Sequence, residues 1–167
     1  ASIGVDLGGA SLRRTAEDLL FNKSLPLNAY RTSSFSLDKK SVTPLIMQTA
    51  IGQGNTLVSP MHMALITCAI ANDGVLMKPY LIDEVVNDSN DTVKKTEPVP
   101  YKRLMSSNEA NLLGKLMKQV VDSGTASSLS GRSYTVAGKT GSAEFDEEGH
   151  SHSWFIGYSN VDDPDLV

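Results

Sequence analysis

The chain has 167 residues, 40% of them hydrophobic and 20% charged, with a formal net charge of −4, which suits one globular domain with a real core. That acidic balance, with no basic run interleaved with aromatics, excludes a general electrostatic drive toward nucleic acid. No apolar run is long enough to span a membrane, and the single cysteine, Cys68, cannot form an internal disulfide.

In chain order, Ser11 to Phe21 predicts a helix, with Leu12, Ala16, Leu19 and Leu20 on one face and Arg13, Arg14, Glu17 and Asp18 on the other. Lys23 to Thr43 has neither helical nor strand periodicity and reads as a long surface excursion. Ile51-Gly52-Gln53-Gly54 is a tight turn. Ser59-Pro60 then sets an N-cap beside a proline at the first helical position, and Met61 to Asn72 follows as a helix that Asn72-Asp73-Gly74 closes. This helix is apolar nearly all round and is expected to be buried. Met61, Met63 and Cys68 read as core and His62 as a core or boundary residue.

Tyr80 to Asn87 and Thr92 to Thr96 flank a polar turn and predict a hairpin that Pro98 and Pro100 end. Ser106 to Glu109 is a capping box. The helix behind it carries an apolar stripe of Leu112, Leu113, Leu116, Met117, Val120 and Val121, and Gly124 ends it. Tyr134 to Glu144 and Ser153 to Ser159 read as strands separated by an acidic turn. Asp165-Leu166-Val167 looks like the start of a third strand, and both chain ends look cut from something longer.

The densest chemistry lies at Lys139-Thr140-Gly141, followed by Ser142-Ala143-Glu144. A strand edge offers N–H and C=O groups to an extended peptide. Lys139 puts positive charge beside it, Thr140 and Ser142 add hydroxyls, and Gly141 lets a ligand approach the backbone. A strand leading into Lys-Thr-Gly is one of three signatures of serine enzymes that acylate on β-lactams and D-Ala-D-Ala peptides.

The context extends that signature. Ile51-Gly52-Gln53-Gly54, Ser59-Pro60, Met63-Ala64, Ile70-Ala71-Asn72 and Gly74 resemble the middle of a class B penicillin-binding protein transpeptidase domain. Gly124-Thr125-Ala126 resembles the turn that family places ahead of its Lys-Thr-Gly strand, and Trp154-Phe155-Ile156-Gly157-Tyr158 resembles the next strand. The resemblance implies an α/β fold of α+β type, with helices packed on an antiparallel sheet. It also implies that residues 1–167 are the C-terminal portion of one transpeptidase domain, truncated at both ends. A Ser-x-x-Lys serine would attack the D-Ala-D-Ala carbonyl and pass the acyl group to an amine on a neighbouring peptidoglycan stem, and β-lactams would trap the acyl-enzyme. Lys139, Thr140, Gly141 and Ser142 would bind the substrate or β-lactam. Lys139 would also support the Ser-x-Asn serine, and the Ser142 backbone N–H would serve the oxyanion hole. No cofactor or metal is implied. The expected setting is the extracytoplasmic face of a bacterial membrane, with an N-terminally anchored parent.

The nucleophile is expected upstream of Ala1. Ser36-Leu37-Asp38-Lys39 fits Ser-x-x-Lys, but it sits in a polar stretch where its lysine would stay hydrated rather than become a base. Ser106-Ser107-Asn108 fits Ser-x-Asn, but the capping box already explains it. His150 and His152, with Asp146, Glu147 and Glu148, invite a metal reading, and a solvated turn is preferred because no third spaced ligand is evident. Two alternatives stay open: a non-catalytic module that binds peptidoglycan or a partner protein, and a relative that hydrolyses or senses β-lactams. Loss of the upstream strands and helix would expose apolar surface, so self-association, or a rearranged sheet, is expected.

Overall fold

The computed structural model describes residues 1–27, 33–145 and 148–167. Among the described residues, four α-helices and six strands alternate unevenly: α1 (Ser2–Asp18), α2 (Thr43–Thr49), α3 (Pro60–Ala71), β1 (Val75–Met77), β2 (Glu84–Val86), β3 (Thr92–Lys95), β4 (Pro100–Arg103), α4 (Ser107–Asp122), β5 (Val136–Glu144) and β6 (Ser151–Ser159). The strands pair antiparallel among the described residues, as β1–β4, β2–β3 and β5–β6, which makes this an α+β arrangement.

The core forms around α3. Its Leu65, Ile66, Ala69 and Ile70 join Leu20 and Phe21 from the end of α1, Leu76, Leu104, Met117 of α4, and Ala137 and Tyr158 of the β5–β6 hairpin. Ser59 caps α3 as the sequence predicts, its hydroxyl accepting from the His62 N–H at 3.2 Å. The chain leaves α3 through Asp73 (φ 50) and Gly74 (φ 81). A Cβ on Gly74 would collide with the Met105 carbonyl, so the turn into β1 can press against the chain that leaves β4. Cys68 is a half-buried free thiol, and burial raises its pKa. His62 is fully buried. Its Nε2 meets the Leu19 carbonyl at 2.8 Å, its ring lies 4.9 Å from that of Phe21, and Nδ1 has no partner among the described residues. Burial pushes its pKa down, and the Leu19 hydrogen bond opposes this more weakly.

Several expectations need correction. A helical run that was not expected precedes the one predicted from Ser11: Gly8 (φ 77, ψ 155) is non-helical and kinks α1 into two runs, of which the second carries the predicted helix. It stops at Asp18, where Leu20 (φ 73) and Asn22 (φ 59) turn the chain. Helix α2 was not anticipated. It follows an extended Val42 with Pro44 in the first turn. Pro100 does not merely end a hairpin: it opens β4, which pairs with β1. The expected hairpin contracts to β2 and β3. The capping box of α4 forms in full, with the Ser106 side chain and Glu109 exchanging bonds. Its buried seam is Ala110, Gly114, Met117 and Val121, whereas Leu112, Leu113 and Leu116 are 58%, 38% and 55% exposed. The seam follows Tyr158, whose hydroxyl occupies the space beside Gly114. Asp165 to Val167 is not a strand, although the Leu166 carbonyl accepts from the Ser159 N–H at 2.9 Å.

Candidate active site

Strand β5 carries the Lys-Thr-Gly segment, and its register decides what each backbone group can do. Val136 faces Ser159, and Glu144 faces Ser151. Just outside the strand, Asn160 donates to the Thr135 carbonyl at 2.8 Å and Phe145 donates to the His150 carbonyl at 3.0 Å. Bonds to β6 therefore fall on odd-numbered residues, since antiparallel pairs alternate. The N–H and C=O groups of Thr140 and Ser142 point the other way, off the outer edge of β5. Among the described strands, only β6 pairs with β5.

Three side chains reach that edge. Lys139 Nζ donates to the Thr140 carbonyl at 2.6 Å. Gln53 Nε2 donates to the Ser142 carbonyl at 3.5 Å. The hydroxyls of Thr125 and Thr140 lie 2.6 Å apart. Lys139, Gly141 and Ser142 are exposed and Thr140 is half-buried. An open cleft of about 390 Å³ runs between these residues and Gly52, Val58 and Met63, with Trp154 at its side. It shares Val58, Ala143 and Trp154 with a wider groove of about 1010 Å³, which continues past Leu57 and Pro60 toward Phe145 and His152. A cation, two hydroxyls and an outward N–H suit an acceptor-only anion such as a carboxylate, with an extended peptide along the strand.

All four predicted site residues thus line one cleft. Sequence reasoning gave no role to Gln53 or Thr125. Each sits beside a glycine in a turn already singled out, Ile51 to Gly54 and Gly124 to Ala126, and that placement was the available signal.

The residues set aside fall elsewhere. Ser36 is exposed and opens no helix, since α2 starts at Thr43. Its neighbour Leu37 is fully buried, and Lys39 is exposed in a turn that Asp38 and Ser41 close. Backbone donation from Lys40 is the main reason Asp38 has a lowered pKa. Ser106 is occupied by Glu109. His150 and His152 stack on Phe145, with ring centroids 6.2 and 4.4 Å away. No group of three potential metal ligands occurs among the described residues, and Asp146 and Glu147 of the metal reading lie outside them.

The family model for the penicillin binding protein transpeptidase domain matches residues 2–167. The chain belongs to this family. It is 30% identical over 175 residues to penicillin-binding protein 3 of Bacillus subtilis, covering 100% of this chain and 25% of that protein. It is 30% identical over 125 residues to peptidoglycan D,D-transpeptidase PbpA of Mycolicibacterium smegmatis, covering 71% of this chain and 25% of the relative. The solved D,D-transpeptidase domain of a peptidoglycan glycosyltransferase from Eggerthella lenta superposes with a TM-score of 0.82 at 30% identity, over 98% of this chain and 42% of that one. The chain therefore spans about a quarter of the length of these curated relatives. The α+β transpeptidase fold expected from the motifs is the fold observed.

Proposed function

We propose that this chain supplies the carboxylate- and peptide-binding strand of a penicillin-sensitive D,D-transpeptidase that cross-links peptidoglycan. The observation that carries the reading is the β5 register, which turns the Thr140 and Ser142 backbone outward beside the Lys139 ammonium. An extended stem peptide adds along that edge. Its terminal carboxylate meets Lys139 and the hydroxyls of Thr140 and Ser142. The Ser142 N–H faces the scissile carbonyl and donates to the oxyanion as it forms, a contribution worth about 3 kcal/mol for one such donor.

A serine oxygen attacks the penultimate D-Ala carbonyl and the terminal D-Ala leaves with a proton. The resulting ester is then opened by an amine of a neighbouring stem. Lys139 supports the proton transfers electrostatically. In this reading residues 1–167 are the later part of the domain, and the serine belongs to the share of the domain that this chain does not match in its solved relative. What supports this is the 42% coverage of that relative, together with the exposed, non-helical setting of Ser36. The missing part of the domain and the stem peptides are the partners, and the site of action is the extracytoplasmic face of a bacterial membrane. No described helix is long and apolar enough to cross one.

Intact mass after incubation with excess benzylpenicillin tests the reading. The 167-residue chain should gain no mass. The full-length protein that carries it should gain one penicilloyl group. An adduct on the chain alone would place the nucleophile within it, with Ser36 the first candidate, and would sink the division of labour. A full-length protein that stays unmodified would favour a non-catalytic binding module.

A further inference from the structure

We propose that Thr125 is a positioning residue for substrate, acting through Thr140. With a carboxylate bound at Thr140, the Thr125 hydroxyl donates to Thr140 Oγ1 and leaves the Thr140 proton for the carboxylate, which favours an anionic C-terminus over a neutral one. The inference rests on the transpeptidase reading and specifies how that site recognises its carboxylate.

The two hydroxyl oxygens are 2.6 Å apart, so one proton lies between them. A hydroxyl has one proton and two acceptor lone pairs. Either hydroxyl can own that proton, and an acceptor-only carboxylate at Thr140 selects the arrangement in which Thr125 donates, because Thr140 then keeps its own proton for the carboxylate. Thr140 is among the residues that line the cleft. A carboxylate accepts only, and it gains from a donor held in this orientation. A terminal amide would turn its own N–H groups toward a donor.

Thr125 is built into place. The N–H groups on both sides of it, from Gly124 and Ala126, bond to the same Val120 carbonyl at 3.1 Å. Ala126 is buried at 4% exposure. A Cβ on Gly124 would lie 2.8 Å from both Cα and O of Val120, so the turn sits hard against the end of α4. Helix α4 packs on β5 in turn. The turn and Thr140 are thus two parts of one rigid contact, 15 residues apart in sequence.

The test uses the full-length protein that carries this chain, with Thr125→Val and Thr125→Ser. The readouts are benzylpenicillin acylation and steady-state kinetics on a D-Ala-D-Ala peptide, with free carboxylate and with a C-terminal amide. Thr125→Val should raise KM for the carboxylate peptide roughly five-fold, as expected for one neutral hydrogen bond, with kcat nearly unchanged. It should shrink the preference for carboxylate over amide by a similar factor. Thr125→Ser keeps the hydroxyl and should behave as wild type. Unchanged KM and preference in Thr125→Val would overturn the proposal, as would an equal loss in Thr125→Ser, which would implicate methyl packing. A wild-type protein that forms no penicilloyl adduct would overturn the transpeptidase reading itself, and this proposal with it.

Discussion

Met117→Ala and Leu116→Ala are adjacent truncations on α4 that separate the buried seam from the leucine-rich stripe. Met117 is 6% exposed and packs in the central cluster with Leu65, Ala137 and Tyr158, whereas Leu116 is 55% exposed. Truncating a buried methionine removes transfer free energy and leaves a cavity that close-packed neighbours only partly fill, at a cost of about 2–5 kcal/mol. Truncating a side chain that remains mostly in water should change stability by no more than about 0.5 kcal/mol. In a chain of this size the first loss corresponds to a fall in Tm of roughly 4–20 °C, and the second to about 2 °C at most. Urea unfolding at low protein concentration, followed by circular dichroism, measures both. If Leu116→Ala cost as much as Met117→Ala under those conditions, the stripe read from periodicity would be the true interior, and the packing of α4 on β5 described above would be wrong.

Three further outcomes are expected. His62 titrates below its ordinary value because it is buried. The unfolded chain therefore binds the proton more readily, and the stabilisation from neutral His62, complete above the unfolded value near pH 6.5, is lost as pH falls toward the folded value. Wild type should lose urea resistance between pH 7.5 and 5.5, and His62→Gln should flatten that slope; equal slopes would remove His62 from the account. Gly74→Ala forces a φ of 81 on alanine and drives its Cβ into the Met105 carbonyl, so a loss of more than about 2 kcal/mol should appear in the same assay. The 167-residue chain should self-associate through surfaces that include Leu112 and Leu116, seen as concentration-dependent sedimentation that Leu112→Ser with Leu116→Ser reduces. A single monomeric species at high concentration would count against this.

Local chemistry made much of this protein legible from its residues alone. Ser59-Pro60, the Ser106–Glu109 box and Asn72-Asp73-Gly74 are endings whose physics lies within a few neighbouring residues, and each formed as expected. The strand into Lys139-Thr140-Gly141 and the strand that follows it were equally local signals. The helical turns ahead of Ser11 were not legible locally, because glycine is a poor helix former and Gly4 and Gly9 are held by close approach to Ala50 and to the Asp38 carbonyl, while Gly8 stays non-helical. Helix α4 shows the limit of periodicity, since leucine at helical spacing gives a face but not which face a strand will cover. Tyr158 beside Gly114 decided that. The site divides in the same way. Sequence named Lys139, Thr140, Gly141 and Ser142. The register with β6, which points Thr140 and Ser142 outward, and the arrival of Thr125 and Gln53 at that edge are contacts between distant segments. Only tertiary structure could settle these, because a strand's free edge and its neighbours depend on what pairs with the other side.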